Sequence, residues 1–432
     1  MKTVAFITLG CKVNQYETNA MAQKFIENGY ELIEDDTKSA DIYIINTCTV
    51  TNMSDRKSRQ MLRRVKEKNK NAIVVAVGCY AQVAKDELEK IPEIDLVLGN
   101  NEKADIIKYV NNFILKNKKE LKMEDVMQTK EFVEFGDTTF TEKTRAVIKV
   151  QDGCDRFCSY CIIPYARGRV RSRKPGNVIS EITKIAKNGI KEVVITGIHI
   201  ASYGKDFKNN YRLIDLLEDI NKINGIERIR LGSIEPLLID REFMERISKL
   251  EKICHHFHLS LQSGCDETLK RMNRRYSTEE FTKIVNLLRE YYKDVVLTTD
   301  IIVGFPGETE EEFNKTYEFL EKIKFYKMHI FKYSVRKGTK AASMPNQING
   351  NIKEERSKKL IELSNKNELY YNNSYKNKEV EVLFEEKKGE YYHGHTKNYI
   401  LTYCMSESNL ENKIKKVVCK DIFDDHIVGE LV

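Results

Sequence analysis

Hydrophobic residues in the first hundred positions come in short continuous runs: TVAFITLG at 3–10, DIYIINT at 41–47, AIVVAVG at 72–78 and IDLVLG at 94–99. Continuous β-branched runs predict strands buried on both faces, here over 3–9, 41–45, 73–77 and 94–98. The segment after each run reads as helix, the last at about 102–116. Strand–helix repetition of this kind predicts a small doubly wound α/β domain over 1–116. Residues 117–143 are rich in Lys, Glu and Asp with weak periodicity and read as a domain linker. From Arg145 the alternation resumes, with strands near 145–150, 191–196, 226–231, 256–261, 295–302 and 327–333. Six strand–helix units predict an open, partial (βα)6 barrel over 144–370 rather than the closed eightfold form. After Tyr371 the pattern changes to short alternating strands such as VEVLFE and NYILTY with polar turns, which predicts a small β-barrel over 371–432. The fold class is α/β with that β-module appended.

Composition narrows the class. The 432 residues are 41% hydrophobic and 32% charged, with mean hydropathy −0.50, which excludes a disordered chain, a collagen-like repeat and a polytopic membrane protein. No apolar run approaches the roughly 20 residues that span a bilayer, so no membrane association is expected. The opening apolar stretch stops at Gly10, Cys11 and Lys12, too soon for a secretory signal core. The expected compartment is the cytoplasm. There, ten cysteines favour metal ligation or catalysis over disulfides.

Cys154, Cys158 and Cys161 form C-x3-C-x2-C in QDGCDRFCSYC. Zinc sites close a tetrahedron with four ligands, and the next candidate here is the distant His199. Three thiolates on one loop instead suit three irons of a cubane cluster and leave the fourth open; an incomplete zinc knuckle is the plainer alternative. Cys11, Cys48 and Cys79 each end one of the first three apolar runs. Ligands gather at the carboxyl ends of parallel strands, so these three predict a second thiolate site, although any one alone would read as a small buried hydrophobe. Cys254, Cys265, Cys404 and Cys419 have no ligand spacing and read as buried free thiols.

With both trios in view, the chain resembles the methylthiotransferases of the radical S-adenosylmethionine (SAM) superfamily. LGCKVNQYE, CSYCIIPYARGRVRSR, LGSIEP, LSLQSG and TTDIIVGFPGET are similar to family motifs at matching places, and the resemblance runs end to end, through a C-terminal TRAM barrel. The opening LGCKVNQYE is most similar to the subgroup acting on threonylcarbamoyladenosine in tRNA. The resemblance implies two 4Fe–4S clusters. Cys154, Cys158 and Cys161 would hold the one that chelates SAM and cleaves it to a 5′-deoxyadenosyl radical. Cys11, Cys48 and Cys79 would hold the one that presents methylated sulfur for delivery to adenine C2. It also implies an external electron donor and a sulfur donor. Thr196, Gly197, Ser233, Glu235, Gln262 and Asp300 look like family contacts to the cofactor, with strand-end turns and helix caps as the alternative. Asn14 and Asn46 flank the first trio and are candidate donors to cluster sulfur. The glycines of GFPGE at 304–308 allow close backbone approach, as a plain turn also would. Isopentenyladenosine tRNA, a ribosomal-protein aspartate, or a non-catalytic iron–sulfur RNA-binding regulator are the other readings.

The expected macromolecular partner is tRNA. Residues 54–71 hold eight basic and two acidic side chains. On a helix Arg56, Arg59, Arg63, Lys66 and Lys70 share one face, while Ser58, Met61, Leu62 and Val65 supply the packing side. Arg167, Arg169, Arg171 and Arg173 would share one side of an extended segment, suited to phosphate or to a cofactor carboxylate. A solvated basic helix is the plainer alternative for the first group. Residues 371–432 carry a net charge of −2, so charge does not nominate the C-terminal module for RNA; Tyr391, Tyr392, Tyr399 and Tyr403 offer stacking faces instead.

Overall fold

The structure, a computed structural model, describes residues 2–33, 38–136 and 144–432. The N-terminal unit is a six-stranded parallel sheet. From edge to edge its strands are Glu31–Leu32, Thr3–Thr8, Ile42–Thr47, Ile73–Gly78, Leu96–Leu98 and Glu120–Lys122. Ile42 and Ile44 pack with Tyr16, Met21 and Phe25 of the helix Lys12–Glu27 and with Val110 and Phe113 of the helix Ile106–Lys116. Tyr43 and Ile45 point the other way, onto Leu62 and Val65 of the helix Asn52–Lys68. Both faces are covered, so the central strands are apolar along most of their length and the sheet is doubly wound.

Two strands went unpredicted. Glu31–Leu32 and Glu120–Lys122 are two and three residues long and lie at the sheet edges, where exposed charged side chains hide the alternation. The second corrects the linker reading: 120–122 pair with Leu96–Leu98, and Val126 and Phe135 are buried. Residues 137–143 of that segment lie outside the described residues.

The central unit has six parallel strands in chain order, Arg145–Asp152, Glu192–Gly197, Arg228–Leu231, His256–Gln262, Val296–Val303 and Lys327–Lys332. The curved sheet divides between the third and fourth, where the short strand Ser233–Ile234 carries the pairing onward. One apolar core runs beneath the surrounding helices. The partial barrel is open between its first and last strands, and the N-terminal helix Lys12–Glu27 packs along Arg145–Asp152 and Glu192–Gly197.

Residues 379–431 form a closed five-stranded barrel. It sits against the strand starts of the central unit. Arg145 pairs with Glu385 at 2.9 Å, and Arg228 reaches the His395 carbonyl at 2.9 Å and Glu381 at 3.1 Å. The tip of its second hairpin carries Tyr399 (φ 77°) into the central lumen, stacked on His256 and on His395, each at 4.5 Å, with the Arg230 guanidinium 4.9 Å over its ring. The acids that make this module net negative thus face arginines of the central unit. Among the described residues no helix is long and apolar enough to cross a membrane.

A buried charge cluster fastens the first two units. Glu17, fully buried, accepts from Lys103 (2.5 Å), Lys149 (2.7 Å) and Arg167 (2.7 Å), and Asp152 accepts from Lys149 (2.6 Å) and Arg167 (3.2 Å). Burial alone would raise the Glu17 carboxyl, but Arg167, Lys103 and Lys149 hold it well below the usual carboxylate range. Between that depressed value and about 4.3, the unfolded chain binds the proton that the folded one refuses, so stability rises with pH through this window. The contribution is complete above about pH 4.3 and is lost as pH falls through the folded value. Glu17→Gln leaves buried cations uncompensated and is expected to cost about 3–5 kcal/mol. Thermal unfolding against the exposed Glu27→Gln measures it, and equal melting temperatures would refute the cluster's role.

Candidate iron–sulfur and cofactor site

Cys11, Cys48 and Cys79 follow three neighbouring strands of the N-terminal sheet, which brings them to one carboxyl edge. Two glycines permit the approach. Gly10 (φ 104°) lies so close to Cys48 that a Cβ there would sit 2.9 Å from its Sγ. At Gly78 (φ 101°) a Cβ would meet the Thr47 carbonyl at 2.5 Å. Cys48 and Cys79 are buried and Cys11 is exposed. Burial pushes the Cys48 thiol up to about 11, and charge on Cys79 and Cys11 adds to the shift, so the three thiols feel one another.

The second trio lies on the loop after Arg145–Asp152. Burial raises Cys154 to about 11 and Cys161 to about 12, with Cys158 adding to both. Cys11, Cys154, Cys158 and Cys161 line one cavity of about 930 Å³. Thr196, Gly197, Ser233, Glu235, Gln262 and Asp300 line the same cavity, so the six residues expected at the cofactor and the cysteines converge. Gln262 holds φ 72° at a register shift in its strand, a costly conformation for a residue with a Cβ and one that re-aims its side chain. Glu235 is clasped by Arg156 and by His199 (3.0 Å); against burial, these two hold its carboxyl below the ordinary range. Asp300 stands deeper in the lumen, 3.2 Å from His258 and opposite His329.

Donors to sulfur come from residues not expected in that role. Arg167 Nε donates to Cys79 Sγ at 3.1 Å, Asn100 Nδ2 to the same sulfur at 3.9 Å, and Arg274 Nη1 to Cys158 Sγ at 3.4 Å. Asn14 and Asn46 give their N–H groups elsewhere. Asn14 Nδ2 bonds the Leu9 and Thr47 carbonyls at 2.7 and 3.1 Å, and Asn46 Nδ2 bonds the Asn14 carbonyl and Thr18 at 2.9 and 3.1 Å. They tie the strand ends together instead of touching sulfur. Three thiols per site, with N–H donors aimed at sulfur, fit clusters that carry negative charge on their ligand sulfurs. Among the described residues the grouping tight enough for a single ion is a different one, His258, Asp300 and His329, whose ligand atoms lie within 4.8 Å of one another.

The basic residues divide. Arg167, Arg171 and Arg173 are buried, and no phosphate reaches them. Arg167 and Arg171 face Asp152, while Arg173 is held by Glu181 and by Glu134 at 2.8 Å. The extended-segment reading holds only at 171–172, which pair with the first barrel strand, because Arg167 ends the short helix Ile163–Arg167. Arg169 is exposed, 3.2 Å from Asp155. On the helix Asn52–Lys68, Arg56 and Arg63 are exposed, whereas Arg59 bonds the Tyr80 hydroxyl at 2.7 Å and Lys66 pairs with Asp95 at 3.0 Å.

Comparison with known proteins places this architecture. The radical SAM superfamily matches residues 148–320, and the uncharacterized protein family UPF0004 matches 3–99. The threonylcarbamoyladenosine tRNA methylthiotransferase MtaB of Bacillus subtilis is 41% identical, covering 96% of this chain and 93% of that protein. MtaB of Aquifex aeolicus is 43% identical over 89% and 93%. The tRNA-2-methylthio-N(6)-dimethylallyladenosine synthase of Caldicellulosiruptor saccharolyticus is 36% identical over 98% and 88%. Among solved structures, the radical SAM methyltransferase TsrM of Kitasatospora setae shares the fold with a TM-score of 0.57 at 16% identity, covering 77% of this chain and 73% of its own. One cysteine trio and Cys11 of the other lining one lumen, joined to these relationships, mean that the chain belongs to the radical SAM methylthiotransferase family, most similar to its threonylcarbamoyladenosine tRNA subgroup.

Proposed function

We propose that this protein transfers a methylthio group to C2 of N6-threonylcarbamoyladenosine next to the anticodon in tRNA, giving the 2-methylthio form. The observation that carries this reading is the convergence of Cys11 with Cys154, Cys158 and Cys161 on one cavity, at the carboxyl ends of two separate sheets. Adenine C2 does not yield to a nucleophile, so hydrogen removal and sulfur delivery need two sites in reach of one base. When bound, SAM and two 4Fe–4S clusters supply one-electron chemistry at the first site and sulfur at the second.

The chain's own residues position and insulate. Cys154, Cys158 and Cys161 would hold the SAM-binding cluster, and Cys11, Cys48 and Cys79 the sulfur-delivering one. Glu235, fixed by Arg156 and His199, offers a carboxylate oxygen to the cofactor's amino group; Thr196, Gly197, Ser233 and Gln262 at strand ends, and Asp300 within its strand, offer polar groups to the rest of it. Arg274 and Arg167 offset sulfur charge. Tyr399 closes the lumen floor against water, which protects a radical step. Arg56, Arg63 and Arg169 meet tRNA phosphates. An external electron donor and a separate sulfur donor complete the cycle, and the tRNA substrate puts the work in the cytoplasm. The working partition is an N-terminal unit that runs through its sixth strand to Lys122, then 144–370 and 371–432.

Nucleoside mass spectrometry of tRNA from a deletion strain tests the substrate: the 2-methylthio form of threonylcarbamoyladenosine should vanish and its precursor accumulate. Anaerobically loaded Cys154/Cys158/Cys161→Ala should keep about half the iron and make no 5′-deoxyadenosine; full iron retention would sink the two-site assignment. Cys48→Ala should stop methylthio product while still cleaving SAM, so normal product counts decisively against the strand-end trio. Arg56→Ala with Arg63→Ala should weaken tRNA binding and lower the slope of log affinity against log salt by about one per lost phosphate contact. An unchanged slope in filter binding would remove this helix from the RNA surface.

A further inference from the structure

Five Lys and Arg side chains line the central cavity: Lys12, Arg156, Arg230, Arg274 and Lys327. Four are engaged. Arg156 grips Glu235, Arg230 pairs with Glu192 at 2.7 Å, and Lys327 with Glu368 at 2.8 Å. Arg274 donates to the Ser260 carbonyl at 2.9 Å and to Cys158. Among the described residues only Lys12 has its ammonium in the cavity without a carboxylate or carbonyl to bond. Glu192, the acid that acts on it, is already shared by Arg230 and Arg145.

The position of Lys12 follows from the fold. It opens the helix Lys12–Glu27, directly after Cys11, where that helix packs along the first two strands of the partial barrel. From there it lines the lumen while remaining exposed to solvent. Tyr399, Arg145, Arg230 and Glu192 act on it from the floor, and it acts in turn on His256 and His329. It therefore reaches the cavity from the Cys11 side, while Thr196, Ser233 and Glu235 line the same cavity from the central strands. A lumen lined by one uncommitted cation among the described residues, with His256, His329 and the Tyr399 ring around it, is suited to receive an anion.

We propose that Lys12 is the specificity-determining residue that pairs with the threonyl carboxylate of the substrate nucleoside. This rests on the threonylcarbamoyladenosine reading above. That carboxylate is the feature an isopentenyl group lacks, and a carboxylate taken out of bulk water needs a charged partner. Lys12 carries no covalent step; it holds the side chain while C2 is presented to the two cysteine sites.

The test uses the full-length, cluster-loaded enzyme and two anticodon stem-loops. One bears threonylcarbamoyladenosine and the other its carboxamide, which keeps the shape and loses the charge. Wild type should favour the carboxylate by about 10- to 100-fold in kcat/KM, carried by KM, the range of a hydrogen bond to a charged group. In Lys12→Met this preference should fall to within about twofold, while iron content and SAM cleavage without RNA stay at wild-type levels. Lys12→Arg should keep most of the preference. Equal losses on both RNAs, an undiminished preference in Lys12→Met, a weakened SAM affinity, or failure of both variants to hold iron would each overturn the assignment. Wild type that turns over only isopentenyladenosine RNA would instead overturn the substrate reading.

Discussion

The Glu17 cluster is the constraint on which the two-site arrangement depends. Two carboxylates, Glu17 and Asp152, face four buried cations, Lys103, Lys149, Arg167 and Arg171. The excess of positive charge is tolerable in a dry interior only with further negative charge beside it. Arg167 supplies the link, because the same guanidinium that bonds Glu17 and Asp152 also donates to Cys79. Thiolates at the N-terminal strand ends and the domain junction therefore support each other. The junction fixes where the first trio stands relative to the second, and charge on the first trio helps neutralise the junction.

Much of the site was legible in the chain. The three apolar runs ending in Cys11, Cys48 and Cys79 placed these thiols at strand ends, and parallel pairing does the rest. Thr196, Gly197, Ser233, Glu235 and Gln262 likewise reached one cavity, since successive strand ends of a barrel share a mouth, and Asp300 lines it from within the fifth strand. What misled was charge. Arg167, Arg171 and Arg173 look like a phosphate track because arginine is usually exposed, and nothing local shows that Glu17, Asp152, Glu181 and Glu134, some of them far away in sequence, come to meet them. Lys66 and Arg59 turned inward for the same reason. Pairing of distant charges is a tertiary fact with no periodic signature.

The two edge strands show the complementary blind spot. Periodicity reports burial, and an edge strand of two or three residues with charged side chains buries too little to leave a pattern. Tyr399 shows a third. A hairpin-tip tyrosine in a module expected to meet RNA reads as a stacking platform, yet its ring faces His256 and His395 inside the protein. Only the docking of the small barrel onto the strand starts, through Arg145, Arg228 and Arg230, gives that residue its place.

The insertion of Tyr399 makes the C-terminal module a thermodynamic partner of the lumen. One ring is at once the end of a hairpin and the floor of the cavity, so a ligand that shifts the hairpin and a ligand that presses on the floor act on a common coordinate. Linkage then requires that each change the other's affinity by the same factor and in the same direction. A small barrel joined by a flexible tether would add only local concentration of RNA. One that holds a ring in the lumen couples whatever the barrel binds to whatever the lumen holds.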